Sequence, residues 1–175
     1  MKHTRILVCI FLLLASCFFC IGASAENGGF APGSTDVFYV SNTTGADTNA
    51  GTSAAAPLKT LGKAYGKMTA GGTIVICGEV KIASGFAPAD AGGTVVFTSV
   101  RGTTDYRTDG AKLVISANMA FANDTVFERM NLRIEKSGLV FSGRFHSLAF
   151  GTSVEVTNGT GLSDFKYPSV IGGYN

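Results

Sequence analysis

The chain has 175 residues, 46% of them apolar and 15% charged, which is the balance of a chain with a packed core and not of a disordered one. Its 14 basic residues stand against 12 acidic ones, for a formal net charge of +2. With no basic run and no interleaving of aromatic and basic residues, these numbers argue against nucleic acid as a partner.

Residues 1–25 read as a signal peptide. Lys2 and Arg5 form a short positive stretch, residues 6–21 are almost wholly apolar, and Ala23-Ser24-Ala25 has the small-x-small pattern cut by signal peptidase. The apolar run of 16 residues is shorter than the roughly 20 that cross a bilayer as a helix. Leu14-Ala15-Ser16-Cys17 also matches a lipobox, in which Cys17 would be lipidated. The apolar Phe18, Phe19 and Ile21 continue past that cysteine, whereas a lipoprotein tether is polar, so cleavage after Ala25 is the expected route. The implied destination is the medium or the cell surface.

Cleavage there removes Lys2 and Arg5, leaving 12 basic against 12 acidic residues, and takes three of the four cysteines with it. Cys77 alone remains, so a disulfide framework within the chain is excluded although the compartment would permit one. Cys77 follows an apolar run and reads as a small buried hydrophobe. About 150 residues make one domain with room for a core.

Residues 26–35, rich in Gly, Ala, Pro and Ser, read as a linker, and residues 36–72 as an opening unit of strand, loop and helix. Residues 37–40 are the strand and 42–57 a loop of small polar residues. Pro57 suits the first turn of a helix. Leu58, Leu61, Tyr65 and Met68 then recur at helical spacing as one apolar stripe, with Lys59, Lys63 and Lys67 on a solvated face. Gly71-Gly72 ends the helix.

From residue 73 to 175 the chain is β-like. Segments 73–76, 94–98, 112–116 and 131–134 begin 21, 18 and 19 residues apart, with shorter apolar segments at 126–127, 139–141, 148–150 and 154–156. Gly and Asn/Asp pairs punctuate them. Short strands at a near-constant spacing fit a stack of coils better than a sandwich, whose strands are longer and joined by hairpins. The expected fold is therefore all-β, a right-handed parallel β-helix. Its open end would be closed by the short amphipathic helix, with the stripe inward over otherwise unpaired strand edges.

Residues 38–82 also resemble the N-terminal part of pectin-lyase-like, right-handed parallel β-helix proteins. The resemblance rests on Tyr39-Val40-Ser41, on the Gly45-x-Asp47-x-Asn49-x-Gly51-Thr52 loop, on Pro57 with Lys59-Thr60-Leu61, and on Gly72-Thr73-Ile74-Val75. It covers about 45 residues. Residues 95–115 are similar to a segment that follows this part in large bacterial surface β-helix proteins. The resemblance implies coils of three short sheets but no single activity, since the fold carries lyases, hydrolases, adhesins and inert stalks.

In that family, lyases hold calcium with carboxylates and take a proton with Arg or Lys. The acids Asp105, Asp109, Asp124, Glu128 and Glu135, and the bases Arg101, Arg107, Arg129, Arg133 and Lys136, form no compact cluster in sequence. On neighbouring coils of about 20 residues the spacing permits Asp105 to lie near Asp124, as a glycosidase pair requires, but does not argue for it. No catalytic residue is assigned. Asp105-Tyr106-Arg107 places an aromatic ring between an anion and a cation, a set suited to stacking on and bonding a sugar. Asp47-x-Asn49-x-Gly51 has the alternating oxygens of a calcium loop, although the same side chains also stabilise turns by accepting from backbone N–H groups. Calcium is the only cofactor with any support. His146 reads as a structural histidine. Asn42, Asn123 and Asn158 open glycosylation patterns that matter only in a eukaryotic secretory route.

Residues 167–175 look like the start of another coil, so the expected C-terminal end is open and able to self-associate. The function expected from these features is a secreted or surface-displayed β-helix domain with a structural, adhesive or glycan-binding role. The alternative is a polysaccharide lyase or glycoside hydrolase whose catalytic coils lie mostly beyond Asn175.

Overall fold

The computed structural model describes residues 36–143 and 147–159, together with the backbone of residues 169–171. The signal peptide with Cys17, the linker 26–35 and His146 lie outside the described residues. The elements begin with β1 (Val37–Val40), α1 (Leu61–Tyr65), β2 (Gly72–Ile76), β3 (Glu79–Ile82) and β4 (Val95–Thr98). A hairpin of β5 (Val100–Arg101) and β6 (Thr104–Asp105) leads into a 3-10 turn at Tyr106–Asp109. There follow β7 (Lys112–Ile115), β8 (Met119–Phe121), β9 (Thr125–Phe127), β10 (Met130–Ile134), β11 (Val140–Gly143), β12 (Leu148–Phe150), β13 (Val154–Asn158) and β14 (Ser169–Ile171).

The fold is all-β, with strands gathered into three parallel sheets. The first has the order β1-β2-β4-β9-β12, the second β13-β10-β7-β3 and the third β14-β11-β8. Every neighbouring pair within them is parallel, and only the small β5–β6 hairpin is antiparallel. From β7 onward the chain visits second, third and first sheet in turn, as β7-β8-β9, then β10-β11-β12, then β13-β14. The earlier part follows the same order: β3 in the second sheet is followed by Phe86, which bridges Met119 of β8, before β4 joins the first sheet.

Alternation along each strand sends one set of side chains inward, and the parallel register stacks them in rows. Ile74, Phe97, Phe127 and Phe150 form one row in the first sheet. Val80, Leu113, Leu132 and Val156 form a second, and Ile82, Ile115 and Ile134 a third. Met119 and Phe141 face them from the third sheet. All but Val156 and Phe150 are buried. The phenylalanines stack: Phe97 lies 5.0 Å from Phe127 with planes 25° apart, and Phe127 lies 5.4 Å from Phe150 at 21°. Phe150, the last of this column among the described residues, is 39% exposed.

The helix is shorter than its apolar stripe. Thr60 caps it by accepting from the Lys63 amide at 3.2 Å, and it ends at Gly66 after five residues. Leu58 lies before it and pairs with Val40 in extended conformation, and Met68 lies after it. The stripe is nonetheless inward, since Leu58, Leu61, Tyr65 and Met68 are all at most 5% exposed. A helix of this length is unstable by itself, so packing holds it: Tyr65 sets its ring 5.6 Å from Phe86 and 6.2 Å from Phe97. Lys59, Lys63 and Lys67 are exposed as expected.

The even spacing of the four long segments has a different origin from the one expected. β2 and β4 are neighbours in the first sheet, but β7 and β10 belong to the second, where β7 stacks on β3. The interval between β4 and β7 is filled by the hairpin and the 3-10 turn, an insertion at the corner between first and second sheets. One glycine is required where the segments leading into β2 and β4 lie against each other. Gly71 has φ +75° and gives its amide to the Ala91 carbonyl at 2.7 Å, and a Cβ there would fall 2.3 Å from the Thr94 carbonyl oxygen.

Candidate functional site

The corner insertion carries the expected binding residues. Asp105 ends β6 and caps the 3-10 turn, its Oδ1 accepting from the Arg107 amide at 3.0 Å while Thr108 Oγ donates to the Asp105 carbonyl at 2.7 Å. Gly110, at φ +84°, ends the turn. Asp105 and Arg107 therefore share one side of a single tight turn. The guanidinium grips the carboxylate in a fork, with Nε to Oδ1 at 2.9 Å and Nη2 to Oδ2 at 2.6 Å. Its third arm, Nη1, donates to the Ser153 carbonyl at 3.2 Å, tying the insertion to the turn between β12 and β13.

Tyr106 points the other way. Its ring meets Tyr39 of β1 edge to face, with centroids 6.2 Å apart and planes at 85°. Partial burial pushes its hydroxyl pKa up, with Tyr39 and Cys77 adding to the rise. Cys77 sits at the same corner, its thiol directed at the Val40 carbonyl at 3.6 Å, and burial pushes its pKa up as well. It stays a thiol, not a nucleophilic thiolate.

Residues that sequence reading did not attach to this place complete the corner. Arg129 pairs with Glu128 at 3.2 Å and helps hold the Asp105 carboxyl below its usual range, behind the larger effect of the Arg107 hydrogen bonds. Glu155 lies near enough to Arg107 to favour its charge. Arg129 and Ser153 are the non-glycine residues with positive φ among those described, at 46° and 55°. They precede the paired strands β10 and β13, and the Arg129 amide donates to the Thr152 carbonyl at 2.8 Å. Such backbone costs about 1–3 kcal/mol per residue and concentrates at functional positions. Neither residue type signals this conformation in sequence.

The arrangement can present a ring pair beside a neutralised ion cluster. Its carboxylate is held ionised, the opposite of what a general acid needs. Asp124 does not join Asp105. It precedes β9, where its Oδ1 accepts from the Ser147 amide at 2.6 Å, while the Asp105 cluster adjoins Arg129 beyond the other end of that strand. The stacking that the spacing permitted is not found: the interval between the two acids is spanned by the rest of the insertion, β7 and β8. Arg133 and Glu135 pair with each other along the second sheet, and Lys112 pairs with Glu79 across it at 3.0 Å.

Asp47 and Asn49 are occupied by the loop that bears them. Asp47 Oδ1 accepts from the amides of Lys59 and Thr60 at 3.0 and 2.9 Å, and Oδ2 from Thr60 Oγ at 2.9 Å. Asn49 Nδ2 donates to the Pro57 carbonyl at 2.8 Å. This is the turn-stabilising alternative, and among the described residues no group of three His, Cys, Asp or Glu side chains is placed to hold a metal. Asn123 is 2% exposed, which closes that glycosylation pattern in the folded chain. No family model, curated protein or solved structure matches the chain.

Proposed function

We propose that this chain is a right-handed parallel β-helix of the pectin-lyase-like kind, exported to the cell surface or medium. It acts as a scaffold that presents an adhesive, glycan-binding corner. The handedness follows from the rule that parallel crossovers within a sheet are right-handed in nearly all cases. The cyclic order of the three parallel sheets supports a solenoid, and the inward stripe of α1 supports a cap over its first round.

The observation that carries the scaffold reading is the closed Asp105–Arg107–Ser153 tie. Its ions satisfy one another and pin the insertion in place, and Tyr106 and Tyr39 are left as the half-buried ring pair beside them. Planar rings flanked by ionic groups suit sugar faces and their hydroxyls.

The test is retention on a panel of immobilised neutral and acidic polysaccharides, run alongside chain-length and ultraviolet assays of the same glycans. Retention without shortening, lost in Tyr106→Ala, is the expected result. Shortening or an unsaturated product would replace this reading with that of a polysaccharide lyase or glycoside hydrolase. Absence of retention on every glycan would leave the scaffold alone.

A further inference from the structure

The guanidiniums nearest the Tyr39–Tyr106 ring pair are both engaged by carboxylates of the chain itself. Arg107 gives Nε and Nη2 to Asp105 and Nη1 to the Ser153 carbonyl, and Arg129 gives Nη2 to Glu128 at 3.2 Å. Two acids at the same corner stand outside these pairs. Glu155 lies two residues beyond Ser153 in β13, exposed and opposite Asn131 of β10, and its charge acts on Arg107. Asp109, also exposed, ends the 3-10 turn. Neither closes an ion pair among the described residues. Against these two acids stands Arg101 of β5, a single exposed cation without an ion pair among the described residues, while Lys112 of β7 is held by Glu79. The corner therefore sets four carboxylates against three guanidiniums, and its unpaired charge is mostly negative.

We propose that this corner binds a neutral, hydroxyl-rich glycan and rejects acidic ones, with Glu155 accepting hydrogen bonds from the sugar hydroxyls. The inference rests on the glycan-binding reading above and names its ligand class. An ionised carboxylate only accepts, and its two oxygens can take the protons of two neighbouring hydroxyls on one sugar. Such charge-assisted bonds are about twice as strong as neutral ones. A uronate or a sulfated sugar would instead set its own charge against Glu155 and Asp109. It would also find Arg107 and Arg129 already held. To bind it, one of those guanidiniums would have to leave its carboxylate and deprive that partly buried ion of its partner, which is costly. Arg101 alone cannot offset two unpaired acids.

The experiment is chromatography of the full chain on immobilised glucans and a galactomannan, which are neutral, and on polygalacturonate and dextran sulfate, which are acidic, each at low and high salt. The expected result is retention by a neutral column that salt does not weaken, and passage through the acidic ones. Glu155→Gln should weaken the neutral retention by about tenfold, the loss of one hydrogen bond to a charged group. Glu155→Lys should abolish it and bring salt-sensitive retention on the acidic columns, a gain that a merely structural role would not produce. Glu155 is exposed, so both variants are expected to keep the circular dichroism of the parent. Retention of the parent by the acidic columns alone overturns the neutral-glycan proposal and leaves the glycan-binding reading standing. Neutral retention unchanged in both variants overturns the role of Glu155. Passage of the parent through every column overturns this proposal and the glycan-binding reading together.

Discussion

Truncation of Phe127 to alanine tests the stacked core most directly. Its ring is fully buried and lies 5.0 Å from Phe97, 5.4 Å from Phe150, 5.9 Å from Phe121 and 6.0 Å from Phe141. A buried Phe→Ala change costs about 3–5 kcal/mol, because the cavity adds to the lost transfer energy. With four rings packed around the site and parallel strands on either side of β9, collapse is restricted, and about 4 kcal/mol is expected. At a urea slope of about 2 kcal/mol per molar, the unfolding midpoint falls by roughly 2 M.

Phe150 provides the internal control. It occupies the same row and stacks on Phe127, but it is 39% exposed. Full burial of a phenylalanine contributes about 1.5–3 kcal/mol, so Phe150→Ala is expected to cost about 1–1.5 kcal/mol with no enclosed cavity. Urea melts of the two variants, followed by circular dichroism, separate the cases. Equal midpoint losses, or a Phe127→Ala loss under about 0.5 M, would refute the reasoning, since the inward row would then not be the core.

Asp47→Ala removes an acceptor of three hydrogen bonds and is expected to lower stability by about 1–3 kcal/mol, equally in calcium and in EDTA. A calcium-dependent melting temperature in the parent that vanishes in the variant would restore the metal reading. Asp105 has a depressed pKa in the fold, caused first by the Arg107 hydrogen bonds, so its contribution is present above the ordinary value of 3.8 and is lost as pH falls through the lower folded value. The stability difference between the parent and Asp105→Asn is thus expected at neutral pH and absent in strong acid; a difference independent of pH counts against the ionised tie. Gly71→Ala forces a Cβ against the Thr94 carbonyl at positive φ and is expected to cost at least about 2 kcal/mol. Gly62→Ala, in α1 with nothing within 4 Å, is expected to stabilise by up to about 1 kcal/mol, and thermal melts distinguish the two.

The strands were legible wherever β-branched and aromatic residues ran together between glycines, as at β2, β4, β9 and β10. β3 was not, because Glu79 and Lys81 point outward between Val80 and Ile82 and break the apolar run. β8, three residues with one exposed, falls below the length at which alternation can be read. The helix was overextended because Leu58 and Met68 lie in phase with Leu61 and Tyr65, and burial selects the same residue types in an extended bridge as in a helix. Gly62 and Gly66 were the contrary signals, each lowering helix propensity. The repeat of about 20 residues misled for a geometric reason: the insertion lengthens the single step from β4 in the first sheet to β7 in the second, so that step looked like a full turn.

The corner site shows the same divide between local and distant information. The pairing of Asp105 with Arg107 was readable because two residues on one turn must meet. The carbonyl that receives the third arm lies 46 positions away at Ser153, and no pattern in the chain points to it. Elsewhere the fold meets positive φ with glycine, at Gly92, Gly102, Gly110 and Gly138. At Arg129 and Ser153 it does not, although glycine would relieve the strain. The insertion contributes Ala111 and one side of the Tyr106 ring to the core. Strain and insertion coincide where Arg107 of the insertion reaches the Ser153 carbonyl, a meeting that only the folded chain brings about.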